Sequence, residues 1–478
     1  MKTGLLEPKT IIINSKDIAK GSFRLDSYFY SDYDRNYSHI INNYIEFKSL
    51  GECSTEIYEV PPFVHVYVKK NYGIPFYTSS SLFENDLTPA HYLTPKMKKL
   101  EIYKIRRGQI LLARSGDVSG GVMGLITMVG RDLDGATTSD HVIRITANPD
   151  IVISEYLYCF LMSEMCRKEL VRNASGSVIP AIRPAAIKNI HIPMLPLEKQ
   201  NAIVQKIRLS IEQKEASRVL IFNANRMVLN VNGLAEIKEE DNDTESGEHN
   251  KYTSIFSSEV LHTNHSGSEY RLDAHFYNPL AQLAIKNIRQ CKSEVKTIGD
   301  VTERVFMCGR FKRNYVGEKY GVPFLSGKNI IQIRPTDLKY ISLTETSDLD
   351  DLKLEATWTL ITRSGTIGRT CFVWGNYEEW TATEDIVRAV PSQEEIDPGY
   401  LCAFLSSPYG KQQVLRFRHG SVIDHITPEQ VKKVLIPLPS ETDQKMIGDL
   451  VRAAYEKRAE AIRLEDEAQQ ILMAALTQ

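Results

Sequence analysis

The sequence lacks the cysteine spacing of a metal site and the long apolar runs of a membrane protein. Its seven cysteines include no Cys-x-x-Cys pair, which argues for reduced thiols and against a disulfide frame or a zinc site. No apolar run approaches the ~20 residues that a membrane helix needs, and the N-terminus has no apolar stretch typical of a secretory signal. These absences predict a cytoplasmic protein without a membrane partner or a structural metal.

Motifs that mark common enzymes are also missing. Val60-Pro61-Pro62-Phe63 is the nearest match to the polar-Pro-Pro-aromatic motif of amino-methyltransferases, but valine cannot accept a hydrogen bond from a target amine. Gly327-Lys328 is followed by Asn329 instead of the Ser or Thr of a P-loop. The 11 histidines include no metal-binding spacing. We therefore expect no catalytic residues, no metal and no cofactor in this chain.

Excess charge of one sign is absent as well, since the formal net charge is only -2. Any surface for phosphate groups must therefore be local, with acidic residues elsewhere. One acidic segment is obvious, because seven carboxylates between Glu236 and Glu248 stand against the single Lys238. Such a segment is typical of a solvated linker between domains.

Two long stretches of the chain repeat one another in the same order and at nearly constant spacing, which predicts two similar domains. The drift between the copies is only a few residues. The clearest pairs are Arg24-Leu25-Asp26 with Arg271-Leu272-Asp273, Gly73-Ile74-Pro75-Phe76 with Gly321-Val322-Pro323-Phe324, Arg114-Ser115-Gly116 with Arg363-Ser364-Gly365, Gly176-Ser177-Val178-Ile179 with Gly420-Ser421-Val422-Ile423, and Ile192-Pro193 with Ile436-Pro437.

Each copy predicts the same mixture of elements. Short β-rich segments are bounded by Gly, Ser and Asn turns, and a helix follows. We therefore expect an α+β fold with two tandem domains, each a mixed sheet plus helices, related by a pseudo-two-fold axis. The predicted boundaries are 1–197 for the first domain, 198–231 for a central helix, 232–250 for the acidic linker, 251–440 for the second domain and 441–478 for a C-terminal helix.

The two long helices each predict an apolar seam that is rich in small residues. Small seam residues let two helices approach closely, and a period of 3.5 residues favours a coiled coil. The alternative is that each helix packs only on its own domain. The predicted heptad rows are Ile447, Ala454, Ala461, Ala468 and Ala475 with Leu450, Lys457, Leu464 and Ile471 in one helix, and Ile203, Ser210, Ser217, Ala224 and Val231 with Ile207, Lys214, Ile221 and Val228 in the other.

The predicted length of these helices has a geometric consequence. A helix of thirty-odd residues is about 50 Å long, and two of them paired antiparallel would hold two domains at a fixed separation. DNA advances ~3.4 Å per base pair along its axis. An object of this kind can measure distance along DNA, with two short regions read and a gap between them left unread.

This arrangement resembles the specificity subunit of type I restriction–modification enzymes. Each half ends in an Ile-Pro segment followed by a helix with an early glutamine, here Ile192-Pro193 with Gln200 and Ile436-Pro437 with Gln444. The family more usually shows Pro-Leu-x-Glu-Gln, and Lys199 and Asp443 stand where that glutamate is expected. The resemblance covers roughly residues 20 to 478 except the acidic linker.

The resemblance implies a target-recognition domain in each half, each reading one part of a bipartite sequence in double-stranded DNA. It also implies that the helices dock two methyltransferase subunits and, in a complete enzyme, ATP-driven restriction subunits. The methyltransferases would modify adenine N6 with S-adenosylmethionine, and the restriction subunits would use ATP and Mg²⁺. None of this chemistry would belong to the present chain.

The repeated Arg-Ser-Gly turns are the predicted phosphate contacts. Arg114 and Ser115 recur as Arg363 and Ser364 after a predicted strand, and a guanidinium, a hydroxyl and open backbone N–H groups suit a phosphate. Equivalent placement in both halves favours a role that does not depend on base sequence. The alternative is a turn whose arginine forms an internal salt bridge.

Base reading is instead expected where the halves differ, because they need not read the same bases. Lysine can reach guanine, and asparagine can pair with adenine. For each candidate an ordinary solvated loop is the alternative. The predicted positions are Ser79, Ser80 and Ser81 against Lys328 and Asn329, Arg183 in Ala181-Ile182-Arg183 against His425-Ile426-Thr427, and Arg418 and His419. Ser177, Arg369 and Ser421 are predicted as further DNA contacts.

Two further sets of residues are predicted to be structural. Arg144 and Arg388 follow the acidic Asp140 and Glu384, which suggests internal ion pairs. The aromatic residues of the two N-terminal arms, Tyr28, Phe29, Tyr30 and Tyr33 in the first and Phe276 and Tyr277 in the second, are expected to pack each arm on its domain instead of stacking on bases.

Two functions from other classes compete with a DNA-reading subunit. The same fold could serve as a non-catalytic scaffold of a phage-defence complex that reads protein or modified DNA. A fused methyltransferase or nuclease is the third hypothesis, and the missing motifs argue against it. Dependence of adenine methylation on this chain separates the three.

Overall fold

A computed structural model describes residues 46–116, 121–176, 180–237, 273, 275–420 and 423–477. The first arm, Arg271, Ser177, Ser421 and most of the acidic linker lie outside these ranges. The chain divides into two compact units. Unit 1 contains residues up to Phe83, Thr88–Ile211 and the residues from Arg463 onward, and unit 2 contains Glu84–Leu87 and Glu212–Ile462.

The first sheet of unit 1 has four antiparallel strands, and all residues of β6 are buried. Helix α1 packs against β7 and β9, and Ser163 begins the next helix by accepting a hydrogen bond from the backbone N–H of Cys166 at 3.2 Å. The strands are β2 (Ser54–Glu59), β6 (Ile110–Ala113), β7 (Ile126–Met128) and β9 (Val142–Ala147) in the order β2-β9-β6-β7, and the helices are α1 (Ser154–Met162) and α2 (Glu164–Arg172).

The second sheet of unit 1 is smaller and mixed. Its strands are β3 (Tyr67–Val68), β4 (Ile74–Tyr77), β5 (His91–Leu93) and β8 (Thr137–Thr138), in the order β3-β5-β4-β8. Strand β5 pairs antiparallel with both β3 and β4, whereas β4 and β8 run parallel. The Thr137 hydroxyl donates to the carbonyl of Pro75 at 2.9 Å and so ties β8 to β4.

A two-stranded ribbon closes unit 1. Strand β1 (Phe47–Ser49) pairs antiparallel with β10 (His191–Pro193), which follows the short helix α3 (Pro184–Ile187). The strand ends at Pro193, because proline has no N–H to continue the ladder. The Tyr156 hydroxyl of α1 donates to the Pro193 carbonyl at 2.5 Å. The predicted Ile-Pro exit is therefore confirmed in unit 1, where it is anchored to the core, whereas the equivalent strand of unit 2 (Leu435–Leu438) runs one residue past Pro437.

Unit 2 repeats the three sheets of unit 1 with equivalent strand orders, β12-β19-β16-β17, β13-β15-β14-β18 and β11-β20. The α+β prediction with a duplicated mixed sheet is confirmed. The elements are α5 (Pro279–Arg289), β11 (Glu294–Thr297), β12 (Thr302–Phe306), β13 (Tyr315–Val316), β14 (Gly321–Leu325), α6 (Gly327–Ile330), β15 (Lys339–Ser342), α7 (Leu349–Leu352), β16 (Thr359–Thr362), β17 (Thr370–Phe372), β18 (Thr381–Ala382), β19 (Ile386–Pro391), α8 (Pro398–Ser406), α9 (Pro408–Leu415), α10 (Pro428–Lys432) and β20 (Leu435–Leu438).

Two long helices, α4 (Leu197–Asn232) and α11 (Glu441–Thr477), contribute residues to both units. In unit 1 the Lys206 ammonium pairs with Glu467 at 2.6 Å, and the Ser210 hydroxyl donates to Glu465 at 3.3 Å. In unit 2 the Lys457 ammonium donates to the side chain of Gln213 at 3.0 Å. In each unit the two helices run antiparallel, as the seams predicted.

The seam of α11 differs from the prediction in one of its two rows. The row that starts at Ile447 is buried through Ala468, as expected. Of the predicted companion row only Leu464 is buried, whereas Leu450, Lys457 and Ile471 are partly exposed; the buried row lies one residue later, at Val451, Arg458, Glu465 and Leu472. The physical reason is that α11 faces the cores of the units as well as α4, since Val451 packs in the core of unit 2 and Leu472 in that of unit 1. Helix α11 therefore packs both against α4 and against the cores of the units, so both predicted modes of packing occur.

The predicted ion pairs of Arg144 and Arg388 are also wrong. Both side chains are fully buried, and in the described part of the chain no carboxylate lies within ion-pair distance of either guanidinium. Arg144 donates to the Thr138 hydroxyl at 2.7 Å and to backbone carbonyls, and Arg388 donates to the carbonyls of Ala382 at 2.6 Å and Ile386 at 3.0 Å. Each guanidinium therefore holds the turn before its strand through hydrogen bonds to neutral groups.

The second N-terminal arm packs on its own unit, as predicted. The Phe276 ring contacts that of Phe417 with centroids 5.8 Å apart, and the Arg416 guanidinium lies 3.9 Å from the Phe276 centroid. Tyr277 is buried. The arm aromatics of unit 2 are therefore structural.

Candidate nucleic-acid interface

The Arg-Ser-Gly turn follows a buried strand in each unit. Arg114 comes directly after β6, and Arg363 comes directly after β16. Gly116 has a φ of +148° and Gly365 a φ of +68°. Residues with a side chain rarely adopt these positive φ values, so glycine allows the chain to turn immediately after the serine. The turn is thus set by the sequence at the same place in both units.

Each turn lies beside the base of a second loop. Ser115 forms a β-bridge with Ala181, and Ser364 forms one with His425. The Ser115 hydroxyl also hydrogen bonds to Nδ1 of His141 at 2.7 Å. The loop tips at 177–179 and 421–422 are outside the described residues. The structure therefore places Ser115 and Ser364 next to residues that anchor the loops predicted to read DNA.

In unit 1 the arginine of the turn forms an internal ion pair. Arg114 pairs with Glu59 of β2, and only 12% of its side chain is exposed. Arg183 pairs with the same carboxylate at 3.2 Å, but 56% of its side chain is exposed. Two guanidinium groups thus share one carboxylate, which leaves a local positive charge beside the turn. Arg183 is the more accessible of the two for a phosphate.

In unit 2 the arginine of the turn pairs with a carboxylate from a different element, the turn between β18 and β19. Arg363 pairs with Asp385 at 3.2 Å and donates to the carbonyl of Ile426 at 3.1 Å. The position equivalent to Glu59 of unit 1 is Met307. Because the ion pair is kept while its acidic partner moves, the shared task of the arginine is to hold the turn. A phosphate contact by this side chain remains a prediction.

The predicted base-reading positions at 79–81 and 328–329 are mostly engaged in local turns. The Ser81 hydroxyl donates to the Thr78 carbonyl at 3.2 Å, whereas Ser80 is exposed. Lys328 lies 3.7 Å from a carboxylate oxygen of Asp337 and is 43% exposed. Asn329 is buried, and its amide bonds Ser326 and the Thr336 carbonyl. Asn329 is therefore not available to a base, which corrects that expectation.

The remaining predicted contacts in unit 2 have protein partners. Arg369 pairs with Glu84 at 2.6 Å, and 19% of its side chain is exposed. Arg418 contacts the His275 ring and lies 3.9 Å from Asp424. The Nδ1 atom of His419 is within hydrogen-bond distance of the Phe417 carbonyl at 3.2 Å. Arg369 and Arg418 are less exposed than Arg183, so they are weaker candidates for a phosphate contact.

A surface that the sequence predictions missed lies on the small mixed sheet of each unit. We call it the tyrosine face and define it by Tyr67 and Tyr72 in unit 1 and by Tyr315 and Tyr320 in unit 2. Tyr67 and Tyr315 are 45% and 46% exposed, and Tyr72 and Tyr320 are 68% and 66% exposed. In both repeats two large aromatic rings are exposed to the same extent. Such exposed rings are typical of a binding surface.

A repeat signal for the tyrosine face was present in the sequence. Tyr67-Val68 recurs as Tyr315-Val316, and Tyr72-Gly73 recurs as Tyr320-Gly321, at the spacing of the other matched segments. Repeated aromatic and apolar residues are more often buried in a core than exposed, so the repeat alone does not predict a surface. Residues 60–63 lead into this face.

The tyrosine face of unit 2 is tied to the turn that also carries Asp385. Arg313 donates to both carboxylate oxygens of Glu384 at 2.6 Å, and its guanidinium lies 5.6 Å from the Phe324 ring centroid. Burial favours a raised pKa for Glu384, but hydrogen bonds from backbone and from Arg313 and Thr383 outweigh it, so the pKa of Glu384 is lowered. The carboxylate is therefore held ionised next to the face.

Comparison with protein families identifies this architecture. The family described as type I restriction modification DNA specificity domain matches residues 65–213 and 291–465. The match covers more than half of the chain and falls once on each repeat. The chain therefore belongs to this family, whose members are non-catalytic specificity subunits of type I restriction–modification systems.

Three individual proteins illustrate what this chain is similar to. The chain is 28% identical over 131 residues to the specificity subunit of type I restriction enzyme MjaVIII of Methanocaldococcus jannaschii, and the match covers 27% of this chain and 30% of that relative. The HsdS subunit of Thermoanaerobacter tengcongensis aligns with 18% identity and a TM-score of 0.28, covering 91% of this chain and 97% of the other. The type I S subunit of M. genitalium aligns with 14% identity and a TM-score of 0.33, covering 91% and 96%.

Searches for other kinds of site gave nothing within the described ranges. No group of three or more His, Cys, Asp and Glu side chains there is placed to hold a metal ion. No helix in those ranges is long and apolar enough to cross a membrane.

Proposed function

We propose that this chain recognises a bipartite sequence in double-stranded DNA and directs N6-adenine methyltransferase subunits to it. Where the enzyme includes a restriction subunit, the same recognition directs DNA cleavage. The observation that carries the proposal is one surface built twice, with matched turns and tyrosines but different surrounding side chains. Equal scaffolds favour equal docking on DNA, and different side chains favour different bases.

The turns are proposed to hold the backbone of the DNA. Arg183 is 56% exposed beside the turn of one unit, and Ser364 and Gly365 occupy the corresponding turn of the other. Contacts of this kind bind phosphates without regard to base sequence. Because the net charge of the chain is only -2, phosphate binding has to be local to these turns.

The long helices are proposed to dock two methyltransferase subunits. Opposite the buried seam, each unit exposes apolar side chains of α4, with Leu209 44% exposed in unit 1 and Val219 and Phe222 57% and 60% exposed in unit 2. Exposed apolar residues on a helix surface are typical of protein interfaces. One such surface in each unit fits one methyltransferase for each half of the target.

The chemistry is proposed to lie entirely in the partners. The methyltransferases would bring S-adenosylmethionine, and restriction subunits would bring ATP and Mg²⁺. The present chain would contribute recognition and positioning in the cytoplasm, where the chromosome and the methyl donor meet.

Genome-wide mapping of N6-methyladenine tests the proposal. The chain is co-expressed with the methyltransferase subunit encoded beside it, and the control strain expresses that subunit alone. We expect one bipartite methylated motif that appears only when both are present. Methylation that is the same with and without this chain would refute the proposal and favour a scaffold that reads protein or modified DNA.

A domain exchange tests the bipartite part separately. Residues 251–439 are replaced by the corresponding domain of another specificity subunit with a known motif. Only one half of the methylated motif should change, and the gap should stay constant. A change in both halves would show that the two domains do not read independently.

A further inference from the structure

The tyrosine faces of the two units share one backbone. In unit 1, β5 pairs Leu93 with Tyr67, and in unit 2, β15 pairs Ile341 with Tyr315. The chain enters the next strand through a glycine in both cases. A Cβ on Gly73 would lie 2.6 Å from a side-chain carbon of the neighbouring strand, closer than real Cβ atoms approach, and Gly321 is equally confined. The side chains around the tyrosines can therefore be compared position by position.

In unit 2 the tyrosines are surrounded by lysines. The Lys339 ammonium lies 4.8 Å from the ring centroid of Tyr315, and the Lys319 ammonium lies 5.8 Å from that of Tyr320. Lys312 is exposed, and within the described ranges no carboxylate is within ion-pair distance of it. The rings hold the Lys339 and Lys319 ammonium groups through cation–π contacts, and all three lysines are exposed.

In unit 1 the same positions carry no lysine. His91 replaces the lysine above the first tyrosine, and its ring stacks on Tyr67 with centroids 4.3 Å apart and an interplanar angle of 21°. Val64 occupies the position of Lys312. Val64 is 81% exposed and Val66 is 52% exposed, so the segment that leads into Tyr67 presents two valine side chains to solvent.

The two sets of side chains suit different base edges. A lysine ammonium donates to O6 and N7 of guanine, whereas valine methyl groups contact the C5 methyl group of thymine, both in the major groove. We propose that the tyrosine face of each unit reads base edges, with Lys312 and Lys339 of unit 2 selecting a G·C pair and Val64 and Val66 of unit 1 selecting an A·T pair through thymine. This inference rests on the proposed function.

A protein partner on the valine side fits the structure less well. The equivalent surface in the other repeat is cationic, which complements the negative edge of guanine and the phosphates near it. The same backbone presents valines in one copy and lysines in the other. One class of ligand should fit both surfaces. Duplex DNA is that class, because each base pair offers either an apolar methyl group or strong acceptors.

Base analogues test the inference on the assembled enzyme. The full chain is purified with its methyltransferase subunits, and binding is measured to a duplex that carries its methylated motif. Half-sites are assigned to units by the domain exchange. Deoxyuridine for thymidine removes only the methyl group in the unit 1 half, and 7-deazaguanosine for guanosine removes only N7 in the unit 2 half. We expect about fourfold weaker binding in the first case and about fivefold or more in the second.

Variants then connect each analogue to its residues. Lys312→Ala with Lys339→Ala should abolish the 7-deazaguanosine effect and keep the deoxyuridine effect, and Val64→Ala with Val66→Ala should do the reverse. These side chains are exposed, so the fold should persist. Lys432→Ala is the matched control, because Lys432 is also partly exposed in unit 2 but pairs with Glu429 at 2.8 Å; it should keep both effects.

Two outcomes would overturn the inference. One is a lysine variant that binds all duplexes more weakly but still responds to 7-deazaguanosine, because its lysines then hold only phosphates. The other is a valine variant that fails to co-purify with the methyltransferase, because the valines then form a protein interface. Failure of the proposed function looks different, since the unmodified complex would then methylate no bipartite motif at all.

Discussion

Replacing Arg388 with methionine tests how a fully buried guanidinium holds the β18–β19 turn. Arg388 donates to the carbonyl of Ala382 at 2.6 Å and to that of Ile386 at 3.0 Å. The turn between them carries Glu384 and Asp385, which bind Arg313 and Arg363. Loss of the guanidinium should therefore loosen the turn that supports both the tyrosine face and the Arg-Ser-Gly turn.

The magnitude follows from the two hydrogen bonds. Methionine has a similar shape but donates nothing, so two buried carbonyls lose a charged donor, at ~1.5–3 kcal/mol each. Burial lowers the pKa of Arg388, which shows that burying the charge offsets part of this gain. We expect the free energy of unfolding of unit 2 to fall by about 2–4 kcal/mol. With a urea m-value of about 2 kcal/mol/M the midpoint shifts by roughly 1–2 M.

Tryptophan fluorescence during urea titration measures this shift. The three tryptophans, at 358, 374 and 380, all belong to unit 2. Trp358 is buried and packs on Phe306, whose ring centroid lies 5.8 Å from the Arg388 guanidinium. Arg304→Met is the control, because the exposed Arg304 covers the same ring at 4.5 Å without bonding the turn. If the midpoint of Arg388→Met is no lower than that of Arg304→Met, the reasoning is refuted.

Three further predictions also concern unit 2. Arg363→Ala should weaken binding of the assembled complex to all DNA sequences alike and flatten its salt dependence, as salt titrations would measure; a changed base preference would contradict a phosphate contact. The lowered pKa of Glu384 means that its contribution to stability is complete above its ordinary pKa of 4.5 and is lost as the pH falls through the lower folded value. As the pH is lowered below 4.5, the unfolding free energy of Glu384→Gln should therefore fall less than that of the native chain in urea titrations, and equal losses would refute this. Gly448→Ala should lower the unfolding free energy by about 2 kcal/mol or more, since a Cβ there would lie 1.9 Å from Asp397 Oδ1; an unchanged Tm in a thermal melt would argue against that close packing.

The exchange of acidic partners between the units separates what is shared from what is specific. Both units hold the arginine of the turn with a carboxylate, but the carboxylate is Glu59 on a strand in one and Asp385 in a turn in the other. Only the geometry of the arginine is common. Because the arginine keeps its place although its acidic partner differs, its role is to hold the turn. We therefore assign base selection to the tyrosine face and not to these arginines.

Much of the fold was predictable because it depends on local pattern. The repeat, the Ile-Pro exits and the two long helices rest on spacing along the chain, and the structure places the helices at Leu197–Asn232 and Glu441–Thr477. One seam row of α11 was also correct. The companion row was correct only at Leu464, because α11 packs on two cores as well as on α4, and a heptad pattern describes only one partner.

The candidate site was predicted less well, because it is assembled from distant segments. Asn329 reads as a base contact beside Lys328, yet it is buried and bonds its own turn. Arg144 and Arg388 were predicted to form ion pairs because acidic residues precede them, yet their guanidinium groups donate to backbone carbonyls. Burial and partner choice depend on strands that are far apart in sequence, and a spacing argument does not contain that information.

The sequence by itself determined that two copies of one α+β domain are followed by seamed helices, since repetition and periodicity are properties of the chain order. It also determined the glycine turns after Arg114 and Arg363, because a positive φ is a local requirement. Only the tertiary structure decided which side chains share a surface. Tyr67 stands beside His91, and Tyr315 beside Lys339, because β3 and β13 each pair with a strand more than twenty residues away, and hydrogen bonding between strands, not sequence spacing, sets that register.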